Sequence, residues 1–295
     1  MEHLNQIQRA VDYIEDRLNE DLSIESIARE AGFSMWHFQN VFKGTVGDTV
    51  KNYVRNRRLT KAMLELGATD KRILDLALDA GFESQESFTR AFKQFFNITP
   101  GECRTHGNKS ELSHSKPRIT MDYLNHLYGG MTMEPKIKTT VELKVIGMGG
   151  NFISILSPDK NNFEVIPKIW GQYMSRSKEI TNRENWNNIG ICSCITDPKL
   201  KQHPDECFYM AGTVVSDFDN VPAGMLIKVI PAGRYAVFTH KGKLDKLQHT
   251  MNFIYGSWLA KSEYKLRDAP DLEMYDERFN LDSDDSEIDL YIPVK

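Results

Sequence analysis

Apolar residues recur every three to four positions from the N-terminus to about Phe96, with few glycines and no proline before Pro100. That spacing follows one face of a 3.6-residue turn and predicts an almost wholly helical first third. From about Met131 the texture changes. Short β-branched and apolar runs alternate with Gly and Pro, as in TVELKVIGMGG, GMLIKVIPAGRYAVFTH and EIDLYIPV. These predict strands, with helical stretches near 163–177 and 244–260. Between the two textures, THGNKSELSHSKPRIT is polar and holds a proline. The pattern predicts a multidomain chain: an all-α domain over 1–106, a linker over 107–130 and an α+β domain over 131–295.

The helical part contains a repeat. SIESIAREAGFSMWHFQNVFK, from Ser23, aligns with RILDLALDAGFESQESFTRAFK, from Arg72. Each copy is an amphipathic helix ending in Ala-Gly-Phe, then a polar entry and a second helix closing on Phe-Lys. Gly32 and Gly81 stand where a tight helix-to-helix turn needs positive φ. Ser34 and Ser84 are placed to cap the second helices. On those helices Phe38 and Phe42, and likewise Phe88 and Phe92, are four apart and face a core. Met35, Trp36, Gln39 and Asn40 form the other face of the first, and Gln85, Glu86, Thr89 and Arg90 that of the second. The pattern is a double helix-turn-helix. The stretch from Asp48 to Leu66 predicts a connecting helix of ~19 residues and ~28 Å. That is near the ~34 Å of one DNA turn, so both second helices can meet successive major grooves from one face.

These residues closely resemble the AraC/XylS family of transcriptional regulators over about residues 5–106. SMWHFQNVFK, RNRRLTKA and AGFESQESFTRAFKQFFNITPGECR carry the likeness, nearest to the Rob/MarA/SoxS-like subgroup. The resemblance implies base contacts from Trp36, Gln39 and Asn40 in the first unit and from Gln85, Glu86, Ser87 and Arg90 in the second. Lys43, Thr89 and Arg55 join them as expected DNA contacts. Asn40 stands where an Arg is typical, and Glu86 where a Gln is. A carboxylate accepts from cytosine and repels phosphate, so the target sequence is not transferable from relatives.

The second half repeats as well. IWGQYMSRS (Ile169 to Ser177) aligns with IYGSWLAKS (Ile254 to Ser262), 85 residues on. A strand-like run precedes each, VELKVIG and LIKVIPAGRYAVF, and two more follow. Two β-α-β-β units predict a pseudo-twofold sheet with both helices on one side and a cleft where the units meet, a favoured ligand site. Aromatics are dense here: Phe152, Trp170, Tyr173, Tyr209, Tyr255, Trp258 and Tyr275. In PDLEMYDER, strand alternation sets Glu273 and Tyr275 on one face and Leu272 and Met274 on the other. A carboxylate beside aromatic rings suits a lipophilic cation. Residues 131–295 also look like a GyrI-like effector-binding domain, through IPAGRYAVFTHKG, FIYGSWLAKSEYKL, APDLEMYDE and YIPV. That resemblance implies that Glu273 pairs with cationic ligands inside a pocket walled by Trp170, Tyr209 and Trp258.

Composition narrows the partners. Lys+Arg 37 against Asp+Glu 41 gives a net charge of −4, which excludes a uniformly basic coat, so nucleic acid must be met through local patches. Lys51, Arg55, Arg57, Arg58 and Lys61 form one such stretch, and phosphate neutralisation makes affinity fall with salt. The acids crowded between Asp268 and Asp289 read either as solubilising surface or as a rim able to draw cations toward the cleft. Four cysteines, no secretory leader at the start and no apolar run near ~20 residues predict a cytoplasmic protein without membrane contact. Cys192, Cys194, His203 and Cys207 match no zinc spacing, so no metal is expected. IGMGGN at 146–151 lacks the following helix of a phosphate cradle, and no nucleophile elbow or triad is present. No cofactor is expected.

The reading that follows is a sequence-specific DNA-binding regulator, not an enzyme, answering to a small cationic or amphipathic ligand. Promoter double-stranded DNA and RNA polymerase are the partners that the resemblance implies, and activation is the expected response. Two alternatives differ in kind. One is a drug-sequestering protein with ligand-independent DNA binding. The other is a GyrI-like hydrolase using Glu273 as a general base raised by burial.

Overall fold

The computed structural model of the chain describes residues 2–106, 119, 120, 124, 133–154, 157, 159–185, 187–195, 201–203 and 205–295, so most of the expected linker lies outside the described residues. The N-terminal helices are α1 (Glu2–Asp16), α2 (Ile24–Ala31), α3 (Met35–Val46), α4 (Val50–Ala68), α5 (Ile73–Asp79), α6 (Gln85–Phe96) and α7 (Pro100–His106). The two units turn in the same way. Gly32 at φ 74° ends α2, and Gly81 at φ 78° follows α5. Past each glycine the chain bonds back across the turn, Phe33 N to Ala28 O and Phe82 N to Ala77 O, both at 3.0 Å. A Cβ is disfavoured at that positive φ, which is why glycine sits there.

The second helix of each unit starts on a serine. Ser34 Oγ accepts from His37 N at 3.4 Å, and Ser84 Oγ from Ser87 N at 3.1 Å. Losing such a cap typically costs about 1 kcal/mol. Ser84→Ala is therefore expected to lower stability by that amount in urea denaturation, while a cap that serves only local geometry would leave the midpoint unmoved.

Helix α4 is 19 residues long and joins the units. Its basic residues chiefly knit the fold together. Arg57 grips Glu15 of α1 through two bonds of 2.7 and 2.9 Å. Arg58 donates to the carbonyls of Leu18 and Glu20, and Lys61 to Asn19. Arg55 is exposed.

The strands β1 (Lys136–Thr140), β2 (Leu143–Ile153), β3 (Asn188–Cys194), β4 (Glu206–Val215), β5 (Leu226–Ile230), β6 (Gly233–Lys241), β7 (Asp271–Tyr275) and β8 (Glu287–Val294) form one antiparallel sheet. Its order is β1-β6-β8-β7-β3-β4-β2-β5. Helix α8 (Asn162–Arg176) follows β2, and α9 (Leu247–Phe253) follows β6. Helix α9 runs through a π-helical stretch, Ile254–Trp258, into a last turn, α10 (Leu259–Lys261). The repeats β2-α8-β3-β4 and β6-α9-β7-β8 meet at β3 and β7 as pseudo-symmetric halves. The run LIKVIPAGRYAVF, which reads as one strand in sequence, is two. Pro231 has no N–H for the ladder and ends β5. The outermost strands then exchange: β5 pairs with β2 of the other repeat, and β1 with β6.

Four hydrophobic clusters decide how the parts sit, one of them around Phe152, Ile169, Tyr173 and Tyr209 with Trp36 packed against it. Leu59, Met63, Leu66, Leu76, Phe88, Phe92 and Phe96 form a separate core for the second helix-turn-helix unit. The core of the first unit runs on into the C-terminal half. Ile7, Ile14, Ile27, Phe38 and Phe42 join Phe238, Ile254, Tyr255, Leu290 and Ile292 of the C-terminal half in one continuous core, to which Ile119 and Leu124 also belong. On the opposite face of the sheet, Val145, Ile189, Ile191, Met210, Tyr235 and Leu272 cluster together. Among the described residues, no helix is long and apolar enough to cross a membrane.

Candidate functional site

The second unit presents its reading helix to solvent. Gln85, Glu86 and Arg90 on α6 are exposed, with Thr89 and Ser87 half-buried beside them. The Ser87 hydroxyl donates to Ser84 O at 2.8 Å. Phe88, Phe92 and Phe96 hold the opposite face inward. This is the geometry a major-groove helix needs: a rigid back and a polar front.

The first unit presents its reading helix to the rest of the protein. On α3, Gln39 is only 4% exposed and Asn40 only 7%, and both Met35 and His37 are buried. The Trp36 indole donates to Asp271 Oδ2 at 2.7 Å, and His37 Nε2 lies 3.5 Å from Asp271 Oδ1. Gln39 Nε2 reaches Asp205 Oδ1 at 3.4 Å, and Lys51 Nζ lies 2.5 Å from Asp205 Oδ2. Asn40 turns back onto the Trp36 carbonyl at 3.0 Å. Lys43 is half-buried, and burial pulls its ammonium pKa down, with the nearby Lys160 adding to the effect. The expected face of α3 is thus covered, and two buried carboxylates of the C-terminal half take the Trp36 indole and the Gln39 amide.

Backbone contact makes that fit close. A Cβ built on Gly44 of α3 would lie 2.7 Å from Gly256 N and 2.9 Å from Asn252 O. Only a glycine lets α3 cross the π-helical stretch at this distance. The corresponding glycine of the first repeat, Gly171, meets nothing within 4 Å. The pseudo-symmetry is therefore broken by α3.

The cleft between the repeats is a cavity of about 140 Å³. Phe152, Cys192, Tyr209, Asp271 and Glu273 line it from the sheet, Phe163 and Ile166 from α8, Leu247 and Met251 from α9, and Trp36 and Asn40 from α3. Glu273 Oε2 accepts from Tyr209 Oη at 2.6 Å and from Tyr275 Oη at 2.8 Å. Trp170 Nε1 donates to Tyr209 Oη at 3.1 Å, and its ring stands edge-on to Tyr275 at 4.9 Å. Burial pushes the Glu273 carboxyl pKa up, the two tyrosine bonds oppose it, and Asp271 adds to the rise. Burial and the facing carboxylate hold both phenols well above the ordinary tyrosine range. Trp258 lies elsewhere, edge-on to Phe238 and stacked on Tyr264. A site of this kind, largely apolar with two acids on one strand, can hold a cation by charge and ring faces.

Sequence reasoning passed over three positions. Asp271 shares the face of Glu273 by the same strand alternation, and Tyr255 Oη also donates to it at 2.6 Å. Gly190 pairs with Glu273 across β3 and β7, and a Cβ there would lie 2.2 Å from Tyr209 Oη. Its missing side chain lets Tyr209 reach diagonally to Glu273. Asp205 follows stretches outside the described residues, and no pattern marks it. Cys192 and Cys207 are buried, while His203 lies 3.3 Å from Asp159. Among the described residues, no group of His, Cys, Asp and Glu is placed to hold a metal.

Comparison with known proteins fits both halves. Residues 133–295 match the GyrI-like small molecule binding domain, and residues 27–106 match a helix-turn-helix domain. The right origin-binding protein of Escherichia coli K12 is 26% identical over 292 residues, covering 96% of each chain. The transcriptional regulator Rob of Salmonella typhimurium is 26% identical over 265 residues, covering 89% of this chain and 87% of Rob. The solved structure of SAV2435 bound to tetraphenylphosphonium is 16% identical with a TM-score of 0.45, covering 56% of this chain and 94% of its own. The protein is a DNA-binding transcription regulator with a small-molecule-binding domain. The chain belongs to the family of the GyrI-like small molecule binding domain, carried here behind an AraC/XylS-type double helix-turn-helix.

Proposed function

We propose that this protein is a cytoplasmic transcription activator whose effector is a lipophilic cation. The observation that carries the ligand class is the acid pair Asp271 and Glu273 on the floor of a largely apolar cavity, with a third acid, Asp245, also in its lining. Residues 131–295 then form the effector half, and residues 1–106 the DNA-reading half. Glu273 pairs with the cation, with Tyr209, Tyr275, Trp170 and Phe152 around it. Gln85, Glu86, Ser87, Thr89 and Arg90 read one major groove, and Trp36, Gln39, Asn40 and Lys43 the next, with Arg55 on the phosphates. RNA polymerase is the partner that turns promoter binding into activation.

The test is a titration of a promoter duplex with the full chain, followed by anisotropy, with and without tetraphenylphosphonium. The cation is expected to alter promoter binding and transcript yield in vitro. An unchanged yield at saturating cation would leave a DNA-binding protein that merely sequesters ligands. Arg90→Ala is expected to weaken specific binding about tenfold, about 1.4 kcal/mol, through loss of a base or phosphate contact. Repeating the titration across salt distinguishes the two: loss of a phosphate contact lowers the salt slope by about one. Equal affinity of the variant would remove Arg90 from the interface.

A further inference from the structure

We propose that the described arrangement is a shut state, in which the effector half holds the first DNA-reading helix in the wall of its own ligand cavity, and that an effector opens it by displacing Trp36. The inference rests on reading the cavity as the effector site.

Three independent observations support it. The face of α3 that meets DNA in the proposed function is buried, so base edges have no route to Gln39 or Asn40 while α3 is docked. The docking is specific rather than merely apolar: Asp271 takes the Trp36 indole, Asp205 takes Gln39 and Lys51, and Gly44 crosses the π-helical stretch at backbone distance. Further contacts flank it. Lys201 lies 3.1 Å from Glu25 of α2, and Lys265 lies 2.6 Å from Glu2 of α1.

The third observation is size. At about 140 Å³ the cavity falls short of the roughly 300–1,000 Å³ that drug-sized ligands occupy. Its floor is the sheet, and α8 and α9 belong to the same half. Trp36 and Asn40 come from the other half and form the part of the wall that the effector domain does not itself supply. A bulky cation drawn to Glu273 therefore competes with Trp36 for the space beside Asp271. Docked, the protein offers DNA one reading helix, α6. Released, it offers two.

The coupling is reciprocal by linkage. If the cation binds the released state better, DNA raises cation affinity by the same factor that the cation raises DNA affinity. The expected factor is about tenfold, within the ordinary range of such couplings.

The experiment uses the full chain and two release variants. Asp205→Ala removes the anchor of Gln39 and Lys51 from outside the cavity. Gly44→Ala favours the helix intrinsically but places a methyl against Gly256. Both are expected to bind the promoter duplex about tenfold tighter than wild type without ligand, and to lose most of the response to tetraphenylphosphonium. Hydrogen exchange of the α3 amides is expected to rise in both variants and in the cation-bound wild type. Cation binding itself is measured separately by equilibrium dialysis. If the cation binds yet α3 stays protected and the variants bind DNA like wild type, the shut state is refuted while the effector site stands. If no cation binds, the effector reading fails. Tighter DNA binding by the variants would then still establish the docked helix as a brake, and unchanged binding would remove it too.

Discussion

Replacing Glu273 with glutamine is expected to weaken tetraphenylphosphonium about 100-fold, about 2.7 kcal/mol, while a neutral compound of similar shape loses little. The carboxylate sits among rings, so its charge is poorly screened and its attraction to a cation strong. Glutamine keeps the volume and can still accept from a tyrosine, which isolates the charge. The pH dependence has a definite sign. Burial raises the Glu273 pKa above its usual value, so a cation, which needs the ionised form, binds more tightly as pH rises through that raised value. Near and below that value, binding expels a proton. The same shift bears on folding: with its pKa raised in the folded state, Glu273 contributes most below its unfolded pKa, and that contribution is lost as pH rises. At neutral pH, Glu273→Gln is therefore expected to melt higher than wild type. Isothermal titration in two buffers of different protonation enthalpy reads the proton, and calorimetry reads the melting point. Equal cation affinity in wild type and variant, at every pH, would place the recognition elsewhere.

Phe92→Ala is expected to cost about 3–5 kcal/mol and to act on the second helix-turn-helix unit alone. The Phe92 ring is fully buried, with Phe88 at 5.5 Å and Phe96 at 4.7 Å between centroids. Its cluster is small and separate from the rest of the protein's core. A cavity there has few neighbours to share the loss. Amide exchange across α5 and α6 is expected to approach that of an unfolded chain, while α1–α3 and the sheet, which share another core, stay protected. Uniform loss of protection over the whole chain would show instead that the units fold as one. Promoter binding is expected to fall with α6, since the docked protein exposes only that reading helix.

Much of the local structure was legible from residues alone. Positive-φ turns at Gly32 and Gly81, caps at Ser34 and Ser84, and phenylalanines four apart are local rules, satisfied within about a dozen residues. The β-α-β-β repeat and its cleft followed from period and order. Pro231 was the exception: its effect depends on which neighbours the chain seeks on either side. Within the site, Glu273 stood out by alternation and by resemblance. Asp271 carried the same alternation signal. Gly190 and Asp205 carried none, because their value lies in what faces them across strands or from another domain.

Sequence by itself determined the elements, the two repeats and the chemical character of each face: aromatic and acidic in the cleft, polar on α3 and α6. Those depend on periods of two and 3.6 and on side-chain type, which are properties of short stretches. Tertiary structure alone decided that α6 faces solvent while α3 faces Asp205, Asp271 and the cleft. Two helices with the same capping and the same phenylalanine spacing thus differ in what covers them. The cause is long-range. The core of the first unit is continuous with that of the effector half, and carboxylates 166 and 235 residues away in the chain bond Gln39 and Trp36 on its polar face.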